Sequence, residues 1–563
     1  MGLKNDKTHR EMASVRDTVE SIWIAIVLAF VLRAFMVEAF VIPTGSMAPR
    51  LLGEHWDLQC HSCGYEYAYG FGRDSRDLGG MHEPKAPPAA RCPNCDYPYG
   101  RQEDFVSGGD RVLVMKYLYR FFDTSWGRPK PWDVVVFKNP QDNRLNYIKR
   151  LIGLPGETIE IVHGDVFVGD SPQGPWQIRR KPARAQEAMW QVVYDNDYRP
   201  NDQLLEAQNA VAPRWVARGS QWSKESFAGR QFSFAGGTEA AVEFRAPPET
   251  FLPHYGYNAL RAEKETSFNP RIDVVTDLKL SYTYVPRQGG GVAMTLSSFD
   301  HVFRTELDSA GVAVLRYKPR KNPDGPWEEW GRKQLSPLKL GQAYDVAMTH
   351  VDMQVTLWLD GQPVLQSAPE QYPENHDTLK AKLAQGQVPL PLVQFSAAGG
   401  PCDLRHIKLM RDVFYTATPL SEPPAGPLGE YAVELMKNDK DGRLFVRDFY
   451  TASEYGQYGP RYRGWGVMNH AISLARHPED PDLDEFFVLG DNSPQSLDGR
   501  GWTSASPSLR LRDKNGNPLY QLGTVPRYSL IGKAFFVYWP AGYRLPGLRL
   551  PVIPNVGKMR MIR

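Results

Sequence analysis

One apolar run constrains this chain more than any other feature. Residues 21–42 read SIWIAIVLAFVLRAFMVEAFVI and carry only two charges, Arg33 and Glu38. The length is close to what an α-helix needs to cross a bilayer, and a long arginine side chain near one end can reach the headgroups. We therefore expect a retained membrane anchor at 21–42. A cleaved secretory signal or a buried core helix is the alternative, but PTGSM makes a poor cleavage site.

The residues ahead of this run predict its orientation. Basic side chains precede it at Lys4, Lys7, Arg10 and Arg16. Positive charge favours the cytoplasmic side, so residues 1–20 are expected in the cytoplasm and everything after 42 outside. The prediction is a single-pass protein of the plasma (inner) membrane, in contact with lipid, whose main body is extracytoplasmic.

The remainder is long enough for several domains. A chain of 563 residues exceeds what one core usually supports, and we expect about three domains. With 49 glycines and 46 prolines the chain is turn-rich, which favours a mainly β fold. A net charge of +2 without a long basic run argues against nucleic acid as a partner.

Strand-like segments with the same alternating apolar pattern lie on both sides of a central region with a different pattern. Alternating apolar runs fill residues 111–119, 132–138 and 146–168, and the same style returns from residue 485 to the C-terminus. Between them, residues 169–484 have charged loops and many short strand-like runs. We expect a core in two parts, 43–168 and 485–563, interrupted by an insertion at 169–484.

Ser46 lies in a proline-flanked turn, VIPTGSMAPRLL, directly after the apolar run. A serine hydroxyl needs a base to become a nucleophile, and no histidine occurs in the constrained motifs. Lys149 in the strand YIKRLIG could be that base if burial lowers its pKa towards neutrality. On pattern alone, an ordinary turn residue is the favoured interpretation of Ser46, and a solvated strand lysine that of Lys149.

Six motifs in one order narrow these alternatives. They are IPTGSMAPRLL, GDRVLVMKYLY, VVVFKNP, NYIKRLIGLPGETIEI, FFVLGDNSPQSLDGRGW and LIGKAFFVYWP. Together they resemble the successive boxes of type I signal peptidases, membrane-bound Ser/Lys proteases that remove signal peptides from secretory precursor proteins. The resemblance covers about 17–57, 105–168 and 485–550. It implies a signal-peptidase-type, β-barrel-like core behind an N-terminal transmembrane helix.

The resemblance assigns roles to individual residues. Ser46 matches the nucleophile and Lys149 the general base, and the Thr44 hydroxyl with the Ser46 N–H matches the oxyanion hole. Ser496 matches the serine that orients the lysine. No cofactor is implied for catalysis, and substrates are expected to bind as an added strand with small residues before the cut.

The segment GDNSPQSLDGR is implied to support the site. Asp498 and Arg500 match a pair that holds the loop, and a turn beside the site follows from three further positions: Gly490, Asp491 and Asn492. Without the resemblance, an Asx-rich surface turn or a calcium-binding loop would explain the same residues. Two departures concern local fit: Gly499 stands where the family commonly has Ser, and Met115 where it commonly has Asn.

Two C-x-x-C pairs predict a structural metal site. The pairs, within residues 58–102, consist of Cys60, Cys63, Cys92 and Cys95. Gly64 after the first pair and Pro93 within the second suit the knuckles of a zinc ribbon. Two disulfides are the alternative in an oxidising compartment.

Part of the insertion resembles a concanavalin-like jelly-roll sandwich. The segments that carry the resemblance are 275–284, 289–298, 344–364 and 402–416, which implies a domain at about 226–416. Its ligand could be a glycan or a protein, or the domain could be a spacer, because fold does not establish function. The function expected for the whole chain is therefore signal peptidase I. A membrane-anchored binding or adhesion protein on a non-catalytic peptidase scaffold, or a processing peptidase of narrow specificity, is the rival.

Overall fold

A computed structural model describes most of the chain. The described residues are 16, 18–28, 30, 36–70, 90–98, 106–119, 127–207, 212–223, 230–257, 271–416, 464–502, 505–506, 509, 519–541, 543–544, 551–553 and 555–563.

The N-terminal apolar run forms two kinds of structure. Residues 18–28 are helical with largely exposed apolar side chains, whereas Val37–Val41 form a strand. The predicted anchor at 21–42 is therefore wrong at its C-terminal end. Glu38 forms an ion pair at 3.1 Å with Lys116, which directly follows the paired strand Arg111–Met115. In the part of the chain that is described, no helix combines the length and apolarity needed to cross a membrane.

Among the residues that the structure describes, the first part of the chain supplies nine strands and the last part seven. Those of the first part are β1 (Val37–Val41), β2 (His55–Gln59), β3 (Glu66–Gly70), β4 (Val106–Ser107), β5 (Arg111–Met115), β6 (Val134–Lys138), β7 (Asn146–Gly153), β8 (Thr158–Val162) and β9 (Asp165–Gly169), all within the described residues. Those of the last described part are β25 (Ile472–Ser473), β26 (Glu485–Leu489), β27 (Val525–Pro526), β28 (Leu530–Trp539), β29 (Tyr543–Arg544), β30 (Pro551–Ile553) and β31 (Arg560–Met561).

The central region contributes further strands and three short helices among the described residues. They are β10 (Trp176–Ile178), β11 (Gln191–Asp195), β12 (Arg214–Ala217), β13 (Gln231–Phe234), β14 (Gly237–Arg245), β15 (Leu278–Pro286), β16 (Gly290–Ser298), β17 (His301–Asp308), β18 (Val312–Pro319), β19 (Glu328–Gln334), β20 (Tyr344–Val351), β21 (Gln354–Leu359), β22 (Gln362–Gln366), β23 (Val393–Gly399) and β24 (Cys402–Arg411), with α1 (Ala183–Met189), α2 (Asp202–Ala207) and α3 (His376–Leu383). The prediction of a mainly β protein is confirmed.

Strands from both ends of the chain build one sheet, the core sheet. Its order is β1-β5-β28-β6-β7-β26-β27, with β31 beside β28. β6 and β7 precede the central region, whereas β26 and β28 follow it, and all these pairings are antiparallel. The core sheet therefore exists only when the two distant segments meet, and β7 lies at that junction.

Two seven-stranded sheets of the central region pack face to face. One has the order β11-β24-β15-β20-β21-β22 with β13 beside β24, and the other β12-β14-β23-β16-β17-β18-β19. Residues of both belong to a single buried cluster, and the rings of Tyr282 and Phe395 from opposite sheets lie 6.0 Å apart. Such a shared interior makes the pair a β-sandwich.

Charged contacts attach this sandwich to the neighbouring sheet β10-β9-β8-β25. Glu160 of β8 accepts hydrogen bonds from His376 Nε2 at 2.6 Å and Lys380 Nζ at 2.8 Å, both on α3. Trp176 of β10 stacks on His376 at 4.7 Å. Because the Glu160 side chain is buried, this attachment is a fixed interface and not a loose tether.

Candidate active site

Ser46 lies on a short turn that the buried side chain of Met47 holds in place. Thr44 is extended, and residues Gly45–Met47 form one turn of 3₁₀ helix. Met47, fully buried, packs among the apolar side chains of the core sheet. The turn therefore holds the half-buried Ser46 at the edge of the core. The Thr44 side chain makes no capping hydrogen bond.

The loop after β26 is joined to this turn by its backbone. Asn492 donates its backbone N–H to the Ser46 carbonyl and its side-chain Nδ2 to the Gly45 carbonyl, both at 3.0 Å. A Cβ placed on Gly490 would lie 2.1 Å from Ser496 Oγ and 2.6 Å from the Ser46 carbonyl oxygen. Ser46 and Ser496 thus approach one another across a residue that has no room for a side chain.

Lys149 reaches the same point from β7. Its side chain is buried at 3% exposure, and Nζ donates a hydrogen bond to Ser496 Oγ at 3.0 Å. Burial lowers the pKa of Lys149 from 10.5 to about 8, against the opposing charge of Asp498. In the described part of the chain, no hydrogen bond joins Lys149 Nζ to Ser46 Oγ. The hydrogen-bond partner of the lysine amine in the structure is therefore Ser496.

Asp498 and Arg500 form a fully buried ion pair below this group. Arg500 Nε and Nη2 donate to the two carboxylate oxygens at 2.9 and 2.8 Å, and Asp498 also accepts the Gly490 N–H at 2.9 Å. Burial alone would raise the pKa of Asp498, but the Arg500 guanidinium outweighs it and the pKa is lowered. The pair therefore fixes the Gly490 backbone beside Ser496.

Asp491 pairs with Arg150 of β7, whereas Asp498 pairs with Arg500 of its own loop. Arg150 Nε and Nη2 donate to the two Asp491 oxygens at 2.7 and 2.6 Å, and Arg150 Nη1 donates to the Trp132 carbonyl at 2.8 Å. All three groups are buried. Because Arg150 follows Lys149 on β7, one strand supplies both the buried amine and the cation that holds the loop.

Thr416 and Ser493 belong to this arrangement, but the sequence did not predict them as site residues. Arg500 Nη1 donates to the Thr416 carbonyl and to Ser493 Oγ, both at 2.8 Å, and the Thr416 N–H donates to Ser493 Oγ at 2.9 Å. Thr416 lies shortly after β24, 84 residues before Arg500, and no local pattern marks it. The central region therefore contacts the Asp498–Arg500 pair directly.

The glycine at position 499 also has a structural reason. A Cβ there would lie 2.7 Å from both the Gly523 carbonyl oxygen and the Phe487 ring. A serine would require one of these groups to move. The departure at Gly499 thus follows from the packing of Phe487, which is fully buried.

The four cysteines form one cluster of thiols. Cys60 Sγ lies 3.6 Å from Cys95 Sγ, Cys63 Sγ lies 3.6 Å from Cys92 Sγ, and all four sulfurs are within 4.8 Å of one another. Disulfide sulfurs would be about 2.05 Å apart, whereas four ligands at the usual Zn–S distance of about 2.3 Å are roughly 3.8 Å apart. The donor set and spacing fit a tetrahedral thiolate site.

Comparison with known proteins finds a family similar to parts of this chain. The profile of the family described as "Signal peptidase, peptidase S26" matches residues 96–230 and 475–539, which contain Lys149 and Ser496. Related sequences include the protein named Signal peptidase I of Rickettsia typhi, 27% identical over 170 residues. A second relative, Signal peptidase I of Buchnera aphidicola, is 27% identical over 157 residues.

The match between this chain and these relatives is partial. The aligned part is 30% of this chain and 48% of the Rickettsia protein, and 28% and 35% for the Buchnera protein. The chain thus spans about half or less of the length of these curated relatives. The Ser46 turn lies outside the segments that the family profile matches.

Solved structures are also similar to part of this chain. The carbohydrate-binding module CBM66 from Bacillus subtilis covers 35% of this chain and 94% of its own, at 8% identity and a TM-score of 0.22. A B. subtilis protein of unknown function with a galectin-like fold covers 40% and 100%, at 12% identity and a TM-score of 0.24.

Proposed function

We propose that this protein is a membrane-bound serine endopeptidase, a signal peptidase I, that cleaves N-terminal signal peptides from secreted precursors after small residues. The observation that carries the proposal is the buried Lys149, whose Nζ lies 3.0 Å from Ser496 Oγ beside the Ser46 turn. A buried lysine without a carboxylate in direct contact is costly in a scaffold, but it is what a general base requires.

In the proposed reaction Lys149 acts as its neutral amine. It accepts the proton from Ser46 Oγ as this oxygen attacks the scissile carbonyl carbon, and it then gives the proton to the leaving amine. Water hydrolyses the resulting acyl-enzyme with the same lysine as base. The two groups must come within about 3 Å when substrate binds, which is a common tightening on substrate binding. During these steps the Ser496 hydroxyl orients the Lys149 amine.

The oxyanion of the tetrahedral intermediate would be held at the start of the turn. The donors proposed are the Ser46 backbone N–H and the Thr44 hydroxyl. Asn492 fixes the Ser46 peptide through the neighbouring carbonyls of Gly45 and Ser46, so the N–H is positioned before substrate arrives. Asp498 and Arg500 support the loop that carries Ser496.

Two strand edges support binding of an extended substrate. β1 is the terminal strand of the core sheet and pairs only with β5 among the described strands. Among the described strands, β7 pairs with β26 from Arg150 onward, and residues 146–149 pair with β6. A signal peptide could add to these edges by backbone hydrogen bonds.

The membrane assignment is supported by the N-terminal helical residues. Ile22, Trp23 and Ile24 are more than half exposed, and their neighbours in the run are also apolar. An exposed apolar helix is unfavourable in water and favourable in lipid. We therefore assign it to a plasma (inner) membrane anchor with a cytoplasmic N-terminus and an extracytoplasmic catalytic part.

A structural zinc ion is proposed for the cysteine cluster. Four thiolates leave no open coordination position, so the metal would stabilise the fold without entering the reaction. The expected results are one zinc per chain by elemental analysis, and its loss in Cys63→Ser but not in Cys402→Ser. Thiol counting that finds two disulfides at the four cysteines would contradict this assignment.

The role of the insertion at 169–484 is also a proposal. We infer that its sandwich, about 226–416, is a docking or spacer domain whose fixed position follows from the Glu160 and Thr416 contacts. A glycan or protein ligand would make the enzyme selective for a few partners. Such a narrow processing peptidase would cleave only precursors that the insertion also binds.

The decisive experiment is cleavage of membrane precursors with Ala-x-Ala before the cut. Wild type should cleave them, while Ser46→Ala and Lys149→Ala should lose at least a thousandfold in kcat/KM. Lys138→Ala, at an exposed position of neighbouring β6, is the matched control and should keep full rate. Failure of wild type on every precursor would favour the binding-protein alternative. Full activity in either site variant would refute the dyad.

A further inference from the structure

A cluster of carboxylates lies where the sandwich meets the neighbouring sheet. Asp165 is the first residue of β9, Asp277 directly precedes β15, and Asp352 lies between β20 and β21. Each offers one carboxylate oxygen, and these three oxygens lie within 4.8 Å of one another. Asp165 and Asp352 are only 9% and 3% exposed, and Asp277 accepts the Asp352 N–H at 2.9 Å. Three segments that are remote in sequence therefore bring negative charge to one largely buried point.

The lysine beside this cluster is shared between two of its acidic neighbours. Lys181 Nζ contacts the carboxylate of Asp352 and, at 2.7 Å, that of Asp412. Among the described residues, no hydrogen bond and no ion pair reaches the Asp165 carboxylate. A buried carboxylate without a partner is unfavourable, and a bound cation would relieve this cost.

A small cavity borders the unpaired carboxylate. Asp165 and Asp277 line it together with Glu374, which lies just before α3, and its volume is about 10 Å³, room for about one water molecule. Glu374 Oε2 has no hydrogen-bond partner among the described residues, although the side chain is only 4% exposed. Thr276 and Ser298 also line the cavity and carry hydroxyl oxygens. The space is therefore small, and oxygen atoms from several segments surround it.

We propose that this cavity binds one calcium ion through the carboxylates of Asp165, Asp277 and Asp352, with Glu374 as a further ligand. Carboxylate and hydroxyl oxygens are ligands of hard divalent cations. Calcium–oxygen distances are about 2.3–2.6 Å, shorter than the roughly 2.8 Å of a hydrogen bond to water, so the ion needs no more room than one water. Magnesium usually keeps several waters, for which this cavity has no space.

The ion would fasten the sandwich to the sheet β10-β9-β8-β25. Asp165 belongs to that sheet, whereas Asp277 and Asp352 adjoin strands of the sandwich. Calcium would therefore stabilise the same attachment that Glu160 makes with α3. This site is independent of the proposed protease reaction, because none of its steps uses these residues. It is also distinct from the cysteine cluster, because calcium does not favour thiolate ligands.

Calorimetric titration of the full chain in detergent with calcium chloride measures the site. The chain is first dialysed against EGTA and then against metal-free buffer, and elemental analysis should show that the proposed zinc ion is retained. Wild type should bind one calcium ion per chain, and its melting temperature should rise as the site fills. Magnesium chloride should bind at least tenfold more weakly.

Asp165→Asn is the informative variant, because its amide has nearly the same shape without the charge. It should bind calcium at least tenfold more weakly than wild type and lose the calcium-dependent rise in melting temperature. Without calcium it should melt at a higher temperature than wild type, because an unpaired buried charge has been removed. Asp170→Asn, at the exposed position just after β9, is the matched control and should behave as wild type.

Absence of saturable calcium binding by wild type would overturn the proposal. Equal calcium affinity in wild type and Asp165→Asn would overturn it as well, because the ion would then lie elsewhere. A lower melting temperature of Asp165→Asn than of wild type, both without calcium, would show that the carboxylate already has a stabilising partner and would also count against the site.

Discussion

The pKa of Lys149 predicts how activity depends on pH. A neutral amine is required, so kcat/KM should rise with pH and level off above an apparent pKa of about 8. At pH 7.5 about a quarter of the enzyme would then carry the neutral amine. With the ordinary pKa of 10.5 the fraction would be roughly one thousandth, so burial increases the active fraction about two hundredfold.

The assay is cleavage of one precursor at low substrate concentration between pH 6 and 10. Lys149→Arg is the informative variant, because a guanidinium keeps its proton throughout this range. It should be inactive at every pH, while Lys138→Arg should reproduce the wild-type profile. The pH dependence of the Lys149 amine can be followed independently by its rate of reaction with an acylating reagent.

Three results would refute this reasoning. A rise of kcat/KM centred near pH 10 would show that burial does not lower the pKa of Lys149. Activity that falls as pH rises from 7 to 9 would show that the protonated amine is the active form. Cleavage by Lys149→Arg would show that another group is the base.

Further predictions concern the surroundings of the lysine. The folded-state pKa of Lys149 is lowered, so between about pH 8 and 10.5 the folded state binds fewer protons than the unfolded state and stability rises with pH. Lys149→Met should therefore gain up to about 3 kcal/mol in urea unfolding at pH 7, and the gain should shrink towards pH 10.5; a loss at pH 7 would contradict this. Ser496→Ala should lower kcat by roughly 10–100-fold with little change in KM, because it removes one hydrogen bond to the amine; an unchanged kcat would contradict the orienting role. Gly490→Ala should lower kcat at least tenfold, because its Cβ would collide with Ser496 Oγ, whereas Gly331→Ala, whose Cβ would make only an ordinary contact with Leu365, should not.

The sequence predicted the features that depend on local chemistry. Alternation of apolar residues marks β5 to β9, and the two C-x-x-C pairs bring thiols close together within short knuckles. The proline-flanked turn of Ser46 and the strand of Lys149 were recognised as parts of one family pattern. These features are local because neighbouring residues decide strand periodicity and turn conformation.

Other features required contacts between distant segments. Val37–Val41 continues an apolar run, yet it forms an edge strand because β5 offers backbone partners. Likewise, periodicity left Lys149 undecided between a solvated and a buried lysine, and its burial is created by β26 and the following loop, including Ser496, 347 residues away.

The sequence by itself determined an apolar N-terminal segment, a mainly β fold, a set of four thiols and a candidate nucleophile and base. Only the tertiary structure decided which partner the lysine contacts, which acid pairs with Arg150 and where Thr416 of the central region contacts Arg500. The physical reason is that side-chain identity sets which charges and hydrogen bonds are possible. Burial sets their strength, and it arises from surfaces that remote parts of the chain provide.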